Sequence, residues 1–204
     1  MSTRGVFGFR IDGVDKLIYN QSDSYPDGLG QDIVNFLSKY KGNFIKLIEK
    51  VRKLQPVGQE GSGNPTSEQI AVCAKHGVTN CDVDVRNADG TPSWYQLLRG
   101  AQGDLVKTLK VGMYEDSTYF LADSLFCEWA YVINLDEQVF EVYEGYQKQP
   151  HEKGRYANME LDRERQVQYY PVALVRTFPL SKLPKDLENA LHPTPVEELA
   201  GAHE

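Results

Sequence analysis

The chain has 204 residues, of which 41% are hydrophobic and 25% charged, with a net charge of −7. That length buries about 70% of the unfolded surface, so a single domain needs no disulfide or metal staples. Dispersed Lys and Arg in an acidic chain argue against a groove for duplex nucleic acid, and no apolar run reaches the roughly 18 residues of a membrane span.

Residues 3–20 predict a β-hairpin. Phe7, Phe9 and Ile11 alternate with Arg4, Val6, Gly8 and Arg10, which places the two sets on opposite faces. Asp12-Gly13 supplies the turn, and "KLIYN" returns as the second strand. From Gly30 the apolar period becomes helical: Ile33, Val34, Phe36, Leu37 and Tyr40 form one stripe. After Gly42, the apolar positions from Phe44 to Leu54 predict a second helix. Gln55 to Pro65 is rich in Gly, Pro and Ser and reads as a loop. Thr66 with Gln69 forms a capping box for a third helix through Lys75. Thr91 as cap and Pro92 at the first position predict a fourth. "CEWAYVINLDEQVFEVYEG", Cys127 to Gly145, is the clearest hairpin, with Trp129, Tyr131, Ile133 and Leu135 on one face. Residues 146–168 are polar without a lasting period and read as a long excursion. "YYPVALVRTFPL" is a last strand, whose Pro171 marks a strand start or an edge. Two strands, a helical block and three strands predict an α+β fold with one mostly antiparallel sheet backed by helices. The terminal strands must meet in that sheet, because two strands alone are marginal. Residues 1–183 form the expected domain, and 184–204 an acidic, Pro-containing tail.

The N-terminus shows no basic stretch followed by an apolar one, so the expected compartment is the cytoplasm. Cys73, Cys81 and Cys127 show no Cys-x-x-Cys spacing and read as reduced, mostly buried thiols. The histidines lack metal-ligand spacing. Asp15, Asp23, Asp27 and Asp32 do not match a calcium loop and read as caps and solvated surface. "GLG" before the first helix lacks the Lys and spacing of a P-loop, and Asp27 and Asp32 would repel an anion there. No metal and no cofactor are expected.

"TRGVFGFRI…YNQSDSYPDGLG" and "EWAYVINLD" together resemble a family of uncharacterised proteins from bacteriophages, actinobacteria and fungi. A phage setting implies, by analogy, a role in host takeover or in blocking host defence. The opening strand also bears a weaker resemblance to N-terminal nucleophile hydrolases. There the exposed first residue attacks an amide, with its own amine as base. Ser2 would take that role, with Arg4, Asn20 and Asp23 positioning the substrate. The nucleophilic Cys of the amidotransferase branch is here Ser2, and no Asn-Gly pair is present for the oxyanion.

The candidate site is therefore the first hairpin and the loop after it. Arg4 and Arg10 share a strand face across the small Val6 and Gly8. Arginine suits bidentate contact with phosphate or carboxylate, though pairing with Asp12, Asp15 or Asp23 explains both equally well. Asn20, Asp23 and Ser24 would supply polar groups, and Tyr25 a stacking face or a phenolic hydrogen bond. Self-bonding of the loop is the plainer account of those short side chains. Trp129, Tyr131 and Tyr143 offer a stacking platform or, more simply, core. The expected function is binding of a small anionic, nucleotide-like ligand, which in a phage would sequester a host defence signal. The rivals are the Ser2 hydrolase and an inhibitor that binds a host protein through its acidic surface and the 146–168 excursion. Self-association is left open.

Overall fold

A computed structural model describes residues 3–79, 90–160 and 169–192. Its centre is a five-stranded sheet. The first hairpin is β1 (Gly5–Ile11) and β2 (Val14–Asn20). Two more strands, here β5 and β6, are Trp129–Asn134 and Val139–Glu144, and β7 is Ala173–Pro179. The order is β2-β1-β5-β6-β7. All pairings are antiparallel except β1 with β5, which run parallel from Gly5 opposite Trp129 to Arg10 opposite Asn134. The sheet is thus mostly antiparallel and the fold α+β, as the segregated strand and helix runs predict. β7 is an edge strand, in keeping with Pro171 just before it.

Alternation along β1 creates two cores. One face carries Phe7, Phe9 and Ile11 with Tyr131, Ile133 and Phe140. It packs on α1 (Gln31–Ser38) and α2 (Ile45–Arg52), whose buried stripes are Ile33, Val34, Phe36 and Leu37, and Leu47 and Val51. Across this face Tyr131, Phe140 and Phe178 stack in sequence, with ring centres 6.1 and 6.5 Å apart. Such aromatic rows are core packing. Tyr131 is fully buried here, while Tyr143 is buried on the opposite face, so the two do not form one platform.

The opposite face carries Val6, Leu17, Ala130, Val132 and Tyr143. No helix backs it. It is covered by a 3-10 turn, Thr118–Ala122, and by the first part of the polar excursion. Residues 146–160 have no helix or strand, yet they are fastened down as a strap. The Tyr156 side chain is buried against Tyr143, with ring centres 4.9 Å apart. Arg155 Nη1 donates to Glu141 Oε1 at 2.6 Å. The excursion's composition hides this, because one buried ring and one ion pair impose no period. Residues 161–168 lie outside the described set.

The remaining elements form a smaller layer beside β2. β3 (Gln55–Val57) pairs in parallel with β4 (Met113–Glu115). α3 is Ser67–Lys75, α4 Trp94–Leu98 and α5 Leu105–Val111. They enclose Cys73, Trp94, Leu97 and Val111. Three sequence expectations are corrected or extended here. The Gln55–Pro65 loop opens with strand β3, too short to show alternation. The α4 cap is Ser93 rather than Thr91: Ser93 Oγ accepts from the Gln96 amide, and Gln96 Oε1 accepts from the Ser93 amide. Pro92 therefore precedes the helix instead of opening it. The tail beyond Pro184 begins with α6 (Leu187–Leu191), and Leu187 is fully buried in the main core. No described helix is long and apolar enough to cross a membrane.

Candidate functional site

The loop after β2 is held by its own polar atoms. Asn20 Nδ2 donates to the Ser22 carbonyl and to Ser24 Oγ, the latter at 2.8 Å. The Ser24 amide donates to the Thr3 carbonyl at 3.2 Å, and the Tyr131 hydroxyl donates to the Ser24 carbonyl at 2.9 Å. Ser24 has no exposed surface. Asp23 takes a left-handed φ of 59°, and its carbonyl accepts from the Leu29 amide. Pro26–Gly30 then forms one wide turn leading into α1. A Cβ on Gly30 would come within 2.6 Å of Leu187 and 3.0 Å of Tyr131. The glycine allows α6 and β5 to pack close, a reason for "GLG" that involves no phosphate. The chemistry of this stretch thus fixes the join between sheet and first helix.

Arg4 and Arg10 share a face but not a place. Six residues of strand, at roughly 3.3 Å each, put them about 20 Å apart. Arg10 is ion-paired to Asp15 at 3.1 Å, near the Arg155–Glu141 pair. Arg4 lies exposed at the other end, its guanidinium 5.3 Å from the Phe126 ring centre. Asn20 and Ser24 are buried, whereas Asp23 and Tyr25 face outward. Ser2 and Cys81 lie outside the described residues. Cys73 and Cys127 are buried free thiols. Among the described residues no three His, Cys, Asp or Glu side chains are grouped to hold a metal.

A cavity of about 540 Å³ lies on the outer side of β2. One wall is Ile18 and Tyr19, and another is Met113 to Asp116 from β4 onward. Tyr95 of α4 and Tyr119 and Phe120 of the 3-10 turn complete the mouth. The rings of Tyr19 and Phe120 meet edge to face at 5.2 Å, and Tyr19 and Tyr95 lie 6.4 Å apart. The loop after β2 touches this cavity, because Tyr95 donates its hydroxyl to Gln21 Oε1 at 3.3 Å. Arg99 stands over the Tyr95 ring at 5.9 Å.

The electrostatics place both signs of charge here. Burial raises the Tyr19 pKa, Tyr95 adds to this, and Arg4 and Arg99 pull it back down. Two guanidinium groups therefore act on one phenol. Among the described residues neither has a carboxylate within ion-pair distance. On the inner wall, burial holds Glu115 above the usual carboxylate range.

Burial, and then Asp116, pushes the Tyr114 pKa up to about 12. An unfolded tyrosine ionises near pH 10. The folded pKa is raised, so Tyr114's contribution is complete below about pH 10 and is lost as pH rises through about 12. Burial raises Tyr131, Tyr143 and Tyr156 as well. We expect the urea midpoint to hold steady to about pH 10 and then fall steeply, with the tyrosinate absorbance of these buried tyrosines appearing only as the protein unfolds. Tyr114→Phe should remove about 2–3 kcal/mol of that alkaline loss. Ionisation of the full complement of tyrosines before unfolding would contradict it.

Sequence reading missed Tyr95, Arg99, Glu115, Asp116 and Tyr119. The available signal was "MYEDSTYF", an acidic pair set among three aromatic side chains. Comparison of the chain with family models, curated proteins and solved structures finds no match in any of the three.

Proposed function

We propose that the protein binds a small anionic, ring-bearing ligand of the nucleotide type in the cavity beside β2. The observation that carries this reading is a cavity walled by Tyr19, Tyr95 and Tyr119, with the Arg99 guanidinium over the Tyr95 ring and the charges of Arg4 and Arg99, without carboxylate partners among the described residues, acting on the Tyr19 phenol. A flat base stacks on aromatic side chains, and phosphate takes guanidinium donors. The carboxylates of Glu115 and Asp116 would accept hydrogen bonds from the amino edge of a base. The volume lies within the roughly 300–1,000 Å³ of small-molecule sites. Of the residues expected from sequence, Arg4 contacts the ligand in this reading. Asn20, Asp23, Ser24 and Tyr25 shape the adjoining loop, and Arg10 belongs to a separate network. In a phage setting, holding such a ligand would deprive a host receptor of its signal.

Calorimetric titration with adenosine and guanosine monophosphates tests it, alongside mass spectrometry of small molecules released from the purified protein. Arg99→Ala should weaken binding about tenfold or more, since a hydrogen bond to a charged group contributes roughly 1.5–3 kcal/mol. Arg4→Ala should act in the same direction, and Arg10→Ala should leave affinity unchanged. An effect of Arg10→Ala alone, or no binding by either nucleotide with nothing released, would overturn the reading.

A further inference from the structure

The cavity does not end at Tyr95. A second, shallower hollow of about 340 Å³ continues past it, lined by Ser62, Gly63, Asn64, Ser93 and Trp94. The two hollows share Gly58, Gln59, Tyr95 and Glu115 as a common wall. Gly58 sits at this junction with φ of 78°, and a Cβ there would stand 2.9 Å from Glu115 Oε1. A side chain at that position would crowd the Glu115 carboxyl in the shared wall. Arg99 lies over Tyr95, the ring that both hollows share.

We infer that the ligand has two flat rings joined by an anionic linker, the chemistry of a dinucleotide. This rests on the nucleotide reading above and goes beyond it. One base occupies the larger hollow among Tyr19, Tyr119 and Phe120. The linker passes Tyr95 within reach of the Arg99 guanidinium. The second base lies in the hollow beside Trp94. A mononucleotide fills one hollow and leaves the other to water. The linked second base then binds as an intramolecular step, at an effective concentration set by its short tether.

The test is calorimetric titration of the whole protein with AMP, GMP and the linear dinucleotides pApA and pGpG. The better dinucleotide should bind at least tenfold more tightly than its own mononucleotide. Ser62→Trp fills the second hollow from an exposed loop position, so it should leave the fold intact. It should reduce the dinucleotide to mononucleotide affinity and leave mononucleotide binding unchanged. Equal affinity for mono- and dinucleotide, or equal weakening of both by Ser62→Trp, would overturn the two-ring inference and leave nucleotide binding standing. Failure of all four probes would overturn both.

Discussion

Gly8→Ala is expected to destabilise the protein by at least about 3 kcal/mol, read as a fall in urea midpoint at constant slope. β1 joins the first hairpin to the rest of the sheet, pairing with β2 on one side and β5 on the other. At Gly8 the φ is 156°, and a Cβ would run into the Lys16 carbonyl oxygen while standing 3.1 Å from Leu17 Cα. Both obstacles are backbone, so no rotamer change relieves them. Moving β2 away breaks the hairpin and the β2 wall of the cavity together. Gly112→Ala gives the comparison. Gly112 has φ of 73° and nothing within 4 Å of its added Cβ, so only left-handed strain remains. That costs about 1 kcal/mol. Equal losses at the two positions would mean that the sheet opens freely at Gly8, and the collision argument would fail.

The same strand shows what a single sequence discloses. Period-two alternation in "VFGFRI" and period 3.6 in "DIVNFLSKY" each report local geometry, and both hairpins and the first two helices follow from it. Alternation also reports that Arg4 and Arg10 share a face, but a face is as long as its strand. Only the partners at each end separate them: Asp15 opposite Arg10, and Phe126 beside Arg4. The loop "NQSDSYPDG" was legible as self-bonding, because Asn, Asp and Ser bond nearby backbone. A further role of the loop, carrying Gln21 to the Tyr95 hydroxyl, spans 74 residues and has no local mark. The cavity walls come from residues 18–19, 57–59, 95–102 and 108–120, and no spacing rule joins segments so far apart. β3 and β4 escape notice for a different reason: three residues show too little alternation to separate a strand from a loop.

Arg155→Ala should cost about 3 kcal/mol and loosen the strap without dismantling the sheet. Glu141 projects from β6 and is only 3% exposed. It accepts from Asn134 Nδ2 and the Tyr143 hydroxyl, each at 2.8 Å, but Arg155 supplies the cation in direct contact with it. Arg155 also lies 3.8 Å from Asp15, which Arg10 contacts at 3.1 Å, so two carboxylates and two guanidinium groups balance under the strap. Removing one member strands a buried charge, and that costs about 3–5 kcal/mol when burial is complete. The Arg155 side chain is 26% exposed, which favours the lower end. Two readings separate this from a simple loss of packing. Cleavage by trypsin after Lys148 or Lys153 should accelerate well before global unfolding. The double change Arg155→Met with Glu141→Gln should recover most of it, since a neutral pair carries no uncompensated charge. Equal destabilisation by the single and double variants would show that the strap is held by the Tyr156 ring, and that the ion pair contributes little.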